Sequence, residues 1–291
     1  IFQDDFESQS STWDIGDGAL TTPSGQSGTW NYWDRASCAS YPCGKCDQLP
    51  SNANGWMTYI DSTNGRSGGK ALKWVNIDAC NLASNNYQGT IKWDAPNNTT
   101  KNLYWGAYWK FDPAFKMAGN NGCKIGHRVW WWDSSSAKED FWMSIQDMRF
   151  QGASDWKLYS TYNQTTYDYV IAAPDSSGYY DGNWHWFEFH LKLNSTHSAS
   201  DGALEVWMDG TKYVNLQNQN FTSFNAPSGS HTGWYIKEIQ TLLGDCQLQP
   251  YNFLNTTWQG FLVDDFKVST TYIDPEGTPA VPAITSSLTA S

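Results

Sequence analysis

Apolar and polar residues alternate with a period of two along much of the second half of the chain. The pattern is clearest over residues 184–193, W-H-W-F-E-F-H-L-K-L, and it recurs over 102–111, N-L-Y-W-G-A-Y-W-K-F. Because successive side chains of a β-strand point to opposite faces, this alternation predicts strands. The pair Asp209-Gly210 separates A-L-E-V-W-M from K-Y-V-N-L and predicts a tight hairpin turn.

The number of predicted strands indicates the fold class. Further runs such as A-L-K-W-V-N-I and Q-G-T-I-K-W-D bring the total to about 12 or more, and helical turns are confined at most to 113–117 and 134–139. Strands without helical crossovers pair antiparallel, so we predict an all-β protein, an antiparallel β-sandwich or jelly roll of two stacked sheets. The sequence D-D-F occurs at 4–6 and again at 264–266, which predicts that the first and last strands pair.

We predict a single domain over residues 1–275. Residues 8–55 are rich in Ser, Gly and Asn with few periodic apolar positions, and they predict long loops. Residues 276–291 are rich in Pro, Thr and Ser, and they predict a tail or linker. No apolar run approaches the roughly 18 residues of a transmembrane helix. The first residue is not Met, and we expect it to be a mature N-terminus.

The six cysteines form an even set, and three of them lie in the loop sequence C-A-S-Y-P-C-G-K-C. The C-x-x-C at 43–46 has zinc-ribbon spacing, but the chain has no second such pair and only five histidines. This pattern favours disulfides that tie the N-terminal loops over metal ligation. Six cysteines allow fifteen pairings, and the sequence does not choose among them. The predicted disulfide cysteines are Cys38, Cys43, Cys46, Cys80, Cys123 and Cys246.

Composition and charge narrow the range of partners. The net charge is −11 and no basic cluster occurs, which argues against nucleic acid and anionic membranes. Charged residues and aromatic residues each make up 16% of the chain, a balance typical of a secreted, extracellular β-protein. Sequons for possible N-glycans begin at Asn97, Asn98, Asn163, Asn194, Asn220 and Asn255.

Cationic, amide and phenolic side chains are concentrated between residues 122 and 161, together with five of the 18 tryptophans. Flat aromatic faces suit stacking on pyranose rings. We therefore interpret this stretch as the floor of a groove that binds a polysaccharide. The candidate substrate-binding residues are Trp130, Trp132, Trp142, Ser144, Arg149 and His127.

Strand alternation divides these residues between two faces. If Lys124 faces the groove, so does Arg128, and Gln146 on the next strand can share that face. The same alternation places His127 and Arg149 on the opposite side. The alternative is that Lys124 and Arg128 are ordinary exposed cations, since charged residues are mostly exposed whether or not they bind a ligand.

Four sequence features follow one another in the middle of the chain: a strand ending in F-D-P, the Gly-rich G-C-K-I-G, a strand with W-M-S-I-Q and a strand with L-Y-S-T. This order resembles the β-jelly-roll polysaccharide lyases, that is, the alginate and glucuronan lyases and their heparin-lyase-like relatives. The resemblance covers roughly residues 100–270. It implies a concanavalin-like sandwich and β-elimination at a uronic acid of a polysaccharide.

Individual positions carry this resemblance. Lys124 matches the lysine of the family's G-G-K-x-x-G, which faces the groove. Ser144 and Gln146 fall where the family has S-x-R, and Tyr159 falls where it has the first tyrosine of Y-x-Y. Two positions depart from the pattern, because Gln146 replaces an arginine and Thr161 replaces a tyrosine.

The implied reaction needs three groups: one that neutralises the substrate carboxylate, a base for the C5 proton and an acid for the leaving oxygen. An amide hydrogen-bonds a carboxylate without full charge, so we expect Arg128 or Arg149 to compensate for Gln146. The catalytic residues that the resemblance implies are Lys124, Gln146, Tyr159 and Arg128.

Two other functions remain open. A glycoside hydrolase acting on a β-glucan needs two facing carboxyl groups, and the E-x-D-x-x-E strand signature is absent. Glu139 and Asp140 lie at a predicted turn, and the hairpin offset does not bring Glu188 opposite Glu205. A non-catalytic carbohydrate-binding or structural glycoprotein is the third possibility, because jelly rolls also serve as binding modules.

Acidic residues near the two chain ends predict a structural metal site. Oxygen ligands on adjacent strands suit Ca²⁺, and the candidate ligands are Asp5, Glu7 and Asp265. His185 and His190 read as ordinary strand residues. No cofactor is expected for catalysis.

Overall fold

The structure is a computed structural model of the 291-residue chain. The strands between residues 123 and 172 are described through their backbone register. The described residues are 2–11, 20–34, 58–76, 86–97, 99–112, 123–133, 138–147, 155–162, 165–172, 181–196, 198–220, 234–247 and 259–274.

These residues form fifteen strands, and no helix occurs among them. None of them therefore belongs to a helix long and apolar enough to cross a membrane. The strands are β1 (Phe2–Asp4), β2 (Thr29–Asp34), β3 (Thr58–Asp61), β4 (Ala71–Asn76), β5 (Asn86–Asp94), β6 (Asn102–Phe111), β7 (Cys123–Asp133), β8 (Lys138–Asp147), β9 (Asp155–Tyr162), β10 (Thr165–Ala172), β11 (Trp184–Lys192), β12 (Gly202–Met208), β13 (Thr211–Gln219), β14 (Trp234–Gln247) and β15 (Gln259–Ser269).

The strands form two antiparallel sheets. The eight-stranded sheet has the order β13-β12-β11-β6-β15-β4-β3, with β1 also paired to β15. The seven-stranded sheet has the order β10-β9-β8-β7-β14-β5-β2. Runs of consecutive strands are joined in this order by neighbours distant in sequence, such as β6 with β15 and β7 with β14, as expected of a jelly roll. The predicted fold class, an antiparallel jelly-roll sandwich, is confirmed.

Aromatic side chains join the two sheets. Trp30 of the seven-stranded sheet packs against Phe2 and Phe266 of the eight-stranded sheet, with ring centroids 5.1 and 4.9 Å apart. Below them Asp4 is buried, and its carboxylate accepts hydrogen bonds from Trp30 Nε1 at 2.6 Å and Gln9 Nε2 at 2.7 Å. Burial raises the pKa of Asp4, and these donors act against that shift. The buried carboxyl group of Asp4 thus links β1 to β2 by a hydrogen bond beside these aromatic rings.

Two sequence predictions about strand pairing are confirmed. Phe2 pairs with Val268 and Asp4 with Phe266, so the first and last strands lie side by side. Strands β12 and β13 form the predicted hairpin, in which Asp209 has φ 46° and Gly210 has φ 76°. Left-handed conformations at both turn residues match the right-handed twist of the flanking strands.

One prediction about the N-terminal region is wrong. Residues 29–34 form β2, which pairs with β5, whereas loops were predicted throughout 8–55. T-W-N-Y-W-D is a six-residue segment in which the adjacent Tyr32 and Trp33 break the alternation, and pairing with β5 decides its conformation. Residues 12–19 and 35–57, and with them the predicted disulfide-tied loops, lie outside the described residues.

The central part of the outer face of the eight-stranded sheet is covered by another segment of the chain. We call this outer face the back face and define it by Tyr108, Trp186, Glu188 and His190, all of which are buried. The segment 270–274 follows β15 and packs there, where Ile273 forms a cluster with Tyr108 and Trp186. Both faces of β11 are therefore buried, although its alternation is that of a half-exposed strand.

Candidate functional site

The outer face of the seven-stranded sheet is the opposite surface of the molecule, and we call it the front face. Trp30 and Trp93 point toward the eight-stranded sheet, since both lie within 6.2 Å of Phe2. Their strand neighbours Asn31 and Lys92 therefore belong to the front face. Residues directly opposite each other on antiparallel strands share a face, so the backbone register extends this assignment across the sheet.

The register brings the predicted catalytic positions together on three neighbouring strands, β7, β8 and β9. Gly126 pairs with Ser144, and Ser144 pairs with Tyr159. Ile125 pairs with Ile145, so Lys124 and Gln146 come next along the two strands, opposite each other. Neighbouring strands are about 4.8 Å apart and Lys124 lies two residues along β7 from the row of Tyr159, so the two positions lie about 12 Å apart.

A second row of the register contains Arg128. It pairs with Trp142 on β8 and with Gln240 on β14, and Gln240 pairs with Lys92 on β5. Lys92 in turn pairs with Asn31 on β2. Five strands thus contribute one row, which spans about 19 Å at the usual strand spacing.

The remaining predicted binding residues divide between the two faces. Trp130 pairs with Asp140, and Trp132 pairs with Lys138. Both tryptophans are an even number of residues from Arg128 on β7, so their positions belong to the same face as that of Arg128. His127 pairs with Thr241, which pairs with the buried Ile91, so its position belongs to the inter-sheet side. Arg149 lies outside the described residues.

A group of charged side chains on the front face was not predicted from the sequence. Lys92 Nζ lies 2.9 Å from Glu238 Oε2 and 3.7 Å from Asp94 Oδ1. Asn31 Nδ2 donates to Asp94 Oδ2 at 3.3 Å. The Glu238 side chain is only 4% exposed, so its charge is held against Lys92 in a largely desolvated position. The alternation in Q-G-T-I-K-W-D, with Ile91 and Trp93 buried, is the signal that could have assigned Lys92 to this face.

The charged side chains of Lys92, Asp94 and Glu238 can orient a polar ligand. Together they carry a net charge of −1 at the β5–β14 end of the front face. The β7–β9 part has the cationic positions Lys124 and Arg128 in the register described above. A polyanionic sugar chain is therefore better matched by the β7–β9 part.

The carboxyl pairs considered for a glycoside hydrolase lie elsewhere. Glu188 pairs with Trp207 and Glu205 pairs with His190, and both acids lie on the back face. Glu139 and Asp140 belong to β8, where a turn was predicted. On the front face Asp94 and Glu238 pair directly, and Lys92 contacts both.

The predicted calcium ligands have separate protein partners. Asp265 Oδ2 accepts from Arg66 Nε at 2.5 Å, and Glu7 Oε1 accepts from the Lys70 backbone N–H at 2.8 Å. Asp5 Oδ1 accepts from the Glu7 backbone N–H at 3.1 Å. In the described part of the chain no three His, Cys, Asp or Glu side chains are grouped to hold a metal ion. These residues do not fit a calcium site as they stand, and calcium stays a prediction.

Sequons and cysteines are only partly within the described residues. Asn97 is exposed and its Oδ1 accepts from Thr99 Oγ1 at 2.8 Å. Asn194 is fully buried, and its Nδ2 donates to the Thr196 carbonyl at 2.7 Å and to Asn220 Oδ1 at 3.2 Å. Outside the described residues lie Asn98, Asn163, Asn255, Cys38, Cys43, Cys46 and Cys80.

Solved structures of other proteins resemble this fold. The alginate lyase vAL-1 from Chlorella virus matches 73% of this chain and 89% of its own, with a TM-score of 0.50 and 13% identity. This chain shares its fold. The endo-β-1,4-glucuronan lyase from the fungus Trichoderma reesei matches 74% of this chain and 87% of its own, with a TM-score of 0.47 and 12% identity. The Bacteroides ovatus mixed linkage glucan PUL GH16 matches 92% and 99%, with a TM-score of 0.43 and 13% identity.

The comparison with known sequences gives no closer relative. No protein-family description matches the chain, and no curated protein matches it. At 13% identity the likeness to vAL-1 concerns the fold alone. The fold alone does not determine the function, because one fold hosts many activities.

Proposed function

We propose that this protein is a secreted polysaccharide lyase that cleaves a uronate-containing glycan by β-elimination on the front face. One observation carries the proposal: the register gathers Lys124, Gln146 and Tyr159 on adjacent strands of one sheet, with Arg128 two residues along β7 from Gly126. A cation, an amide and a phenol at this spacing suit a substrate carboxylate and a proton in transit.

The proposed reaction begins with the substrate carboxylate. Lys124, Gln146 and Arg128 neutralise it, which acidifies the proton at C5 of the uronic acid. The phenol oxygen of Tyr159, once deprotonated, takes that proton, and the C5–H electron pair forms a C4–C5 double bond. The C4–O bond breaks, and the leaving oxygen receives a proton from Tyr159. The products are an unsaturated uronate end and a new sugar hydroxyl.

The polymer is proposed to lie across the strands. The row from Asn31 on β2 to Trp142 on β8 spans five strands, which is room for several sugar residues. Tryptophans at positions 130, 132 and 142 have the alternation of this face and would stack on sugar rings. The tryptophans bind any β-linked chain, and the cations select a uronate.

The test is a panel of polymers: alginate, glucuronan, heparin and a neutral β-glucan. Ultraviolet absorbance follows the unsaturated product, and a reducing-end assay follows all cleavage. We expect absorbance to rise with at least one uronate polymer. Cleavage without absorbance would identify a hydrolase instead, and retention on a polymer column without any cleavage would identify a binding protein.

The hydrolase alternative has one observation of its own. Asp94 and Glu238 are paired carboxylates on the front face. Lys92 contacts both and holds them as an ion-paired group, whereas a hydrolase needs one of its two carboxyl groups protonated. Replacement of Glu238 by Gln would abolish hydrolysis of a neutral β-glucan if this alternative held, and it would leave uronate cleavage largely intact.

Secretion and N-glycosylation form part of the same proposal. Asn97 is the acceptor we favour, because it is exposed and its Oδ1 stays bonded to Thr99 when a glycan replaces a hydrogen on Nδ2. Asn194 is the sequon we expect to remain unmodified, since both hydrogens on its buried Nδ2 are donated. Glycopeptide mapping of the protein secreted from a eukaryotic host tests both assignments.

A further inference from the structure

Two of the six cysteines lie opposite each other on neighbouring strands. Cys123 is the first residue of β7, and Cys246 lies one residue before the end of β14. The backbone register pairs them directly. The preceding pair along the ladder is Ile125 with Leu243, so β14 has one more residue than β7 in this interval. The two residues thus occupy opposed backbone positions at an irregular part of the ladder.

Directly opposed residues of an antiparallel pair have Cα atoms about 4.5 or 5.5 Å apart, depending on whether they exchange hydrogen bonds. Disulfides join residues whose Cα atoms are about 4.4–6.8 Å apart, so both kinds of pair fall within that range. We propose that Cys123 and Cys246 form a disulfide that clamps β7 to β14. Of the fifteen pairings, this leaves three for the remaining four cysteines.

The bond forms by a balanced oxidation. Two thiols lose two protons and two electrons, and one S–S bond forms between Cys123 and Cys246. The oxidant is the disulfide of a thiol–disulfide exchange protein or of a small disulfide, which is reduced to two thiols. A thiolate of one cysteine first attacks that disulfide, and the second thiolate then displaces the reduced carrier.

The position of the bond gives it a role in the front face. Lys124 follows Cys123 directly, so the clamp fixes the end of β7 that carries this residue. Because consecutive strand residues alternate between faces, the disulfide and Lys124 occupy opposite sides of β7. The bulge interrupts the backbone ladder between β7 and β14, and a covalent link there fixes β7 to β14 at the residue next to Lys124.

The decisive experiment is peptide mapping of the full-length protein, secreted from a eukaryotic host and digested without reduction after free thiols have been alkylated. We expect a cross-linked peptide pair that contains Cys123 and Cys246 and separates on reduction. Alkylation of either cysteine, or a link from either to Cys38, Cys43, Cys46 or Cys80, would overturn the proposal. The map requires no turnover, so it is independent of the proposed lyase activity.

Variants test the clamp itself. In Cys123→Ser and Cys246→Ser, each as a single change, we expect one additional titratable thiol per molecule. The double variant should have no additional thiol and a melting temperature lower by about 10 °C, as expected for the loss of a bridge that closes a long loop. A double variant that melts with the parent protein would overturn the clamp. The cysteine map of the parent protein remains decisive if a variant fails to fold.

Discussion

The two outer faces of the sandwich contain similar residue types and use them differently. On the back face, Glu188, His190 and Glu205 are buried, and each has partners within the protein. On the front face, the register places Arg128 in a row with positions from five strands, and Lys124 lies four residues away on the same strand. Both faces hold ionisable groups, and among the described residues segment 270–274 packs on the back face.

The polar network of the back face is self-contained. His190 lies between Glu205 Oε2 at 2.6 Å and the Asn102 amide at 2.7 Å, and Tyr104 stacks on its ring with centroids 4.0 Å apart. Burial lowers the pKa of His190 although Glu205 acts in the opposite direction. Nδ1 of the ring faces Glu205 Oε2 and Nε2 faces Asn102 Oδ1, so both ring nitrogens face acceptor oxygens and a neutral ring donates to only one of them. Lys212 completes the network by donating to Glu205.

The difference between the faces shows why a perturbed pKa is insufficient to identify a site. Burial raises the pKa of Glu188 to about 8 and that of Tyr272 to about 12, and both groups lie on the back face. The Glu188 carboxyl accepts from the Ile273 backbone N–H at 2.8 Å and from Trp186 Nε1 at 3.2 Å. No room remains there for a substrate, so the shift reports packing. A similarly raised pKa of a group in an open groove would have indicated a catalytic role.

The largest expected effect is a loss of catalytic activity that occurs in a front-face variant and not in a back-face variant. We expect Lys124→Ala to lower kcat/KM for the cleaved uronate polymer by about 10³-fold, because the substrate carboxylate loses its main cation. The melting temperature should stay within a few degrees of the parent value. Lys192→Ala is the matched control, since Lys192 is exposed on the back face. Equal losses in both variants would contradict the front-face assignment.

The next effect concerns stability and belongs to the back face. Glu188→Ala removes the acceptor of two buried donors and should lower the free energy of unfolding by about 2–4 kcal/mol. Glu188→Gln retains the shape and one acceptor, so its loss should be smaller. Urea unfolding measures both, while kcat of the folded fraction should not change. A Glu188→Ala protein of full stability would show that segment 270–274 is not held by this carboxyl.

The pH dependence of stability is a third test of the back face. The folded-state pKa of Glu188 is about 8, above its ordinary value near 4.5, and that of Asp264 is raised to about 7, in both cases chiefly by burial. The folded state thus binds these protons more tightly, so their stabilisation is complete below pH 4 and is lost as pH rises through 7 to 8. We expect urea midpoints to fall between pH 6 and pH 9, and less steeply in Glu188→Gln. Equal slopes would rule out Glu188 as a source.

The smallest expected effect tests how far the front face extends toward β5. Lys92→Met removes the cation between Asp94 and Glu238 and leaves two carboxylates that repel a uronate polymer. We expect KM to rise about tenfold, equivalent to roughly 1.4 kcal/mol, with kcat within twofold of the parent value. Lys192→Met serves as the control. An unchanged KM would confine the binding face to the strands from β14 to β10.

The parts of this fold that the sequence predicted are those determined locally. Alternation identified β6 and β11, and Asp209-Gly210 identified the turn between β12 and β13. The covering of the back face was not predicted, because Ile273 lies 85 residues from Glu188 in sequence. The pair of Lys92 and Glu238, 146 residues apart, depends in the same way on β5 lying beside β14. Long-range strand order is set by the packing of the whole core, which no local pattern encodes.

In the candidate site, too, the sequence predicted the features that depend on local geometry and missed those that depend on distant strands. Alternation alone assigned Lys124, Arg128 and Gln146 to one face, and it required only local strand geometry. The charged group at Lys92 was missed because it combines residues from three strands that the sequence does not mark as neighbours. Strand β2 was missed because T-W-N-Y-W-D is too short and polar to be recognised without its partner.

The path of segment 270–274 has a practical consequence for handling the protein. After β15 the chain packs on the back face through Ile273, on the far side of the sandwich from the front face. A tag placed after residue 274 would therefore leave from the rear of the molecule. Protein fixed to a bead or sensor chip through such a tag would present its front face to the liquid. Immobilised protein should then capture long, dissolved polymers as readily as free protein does.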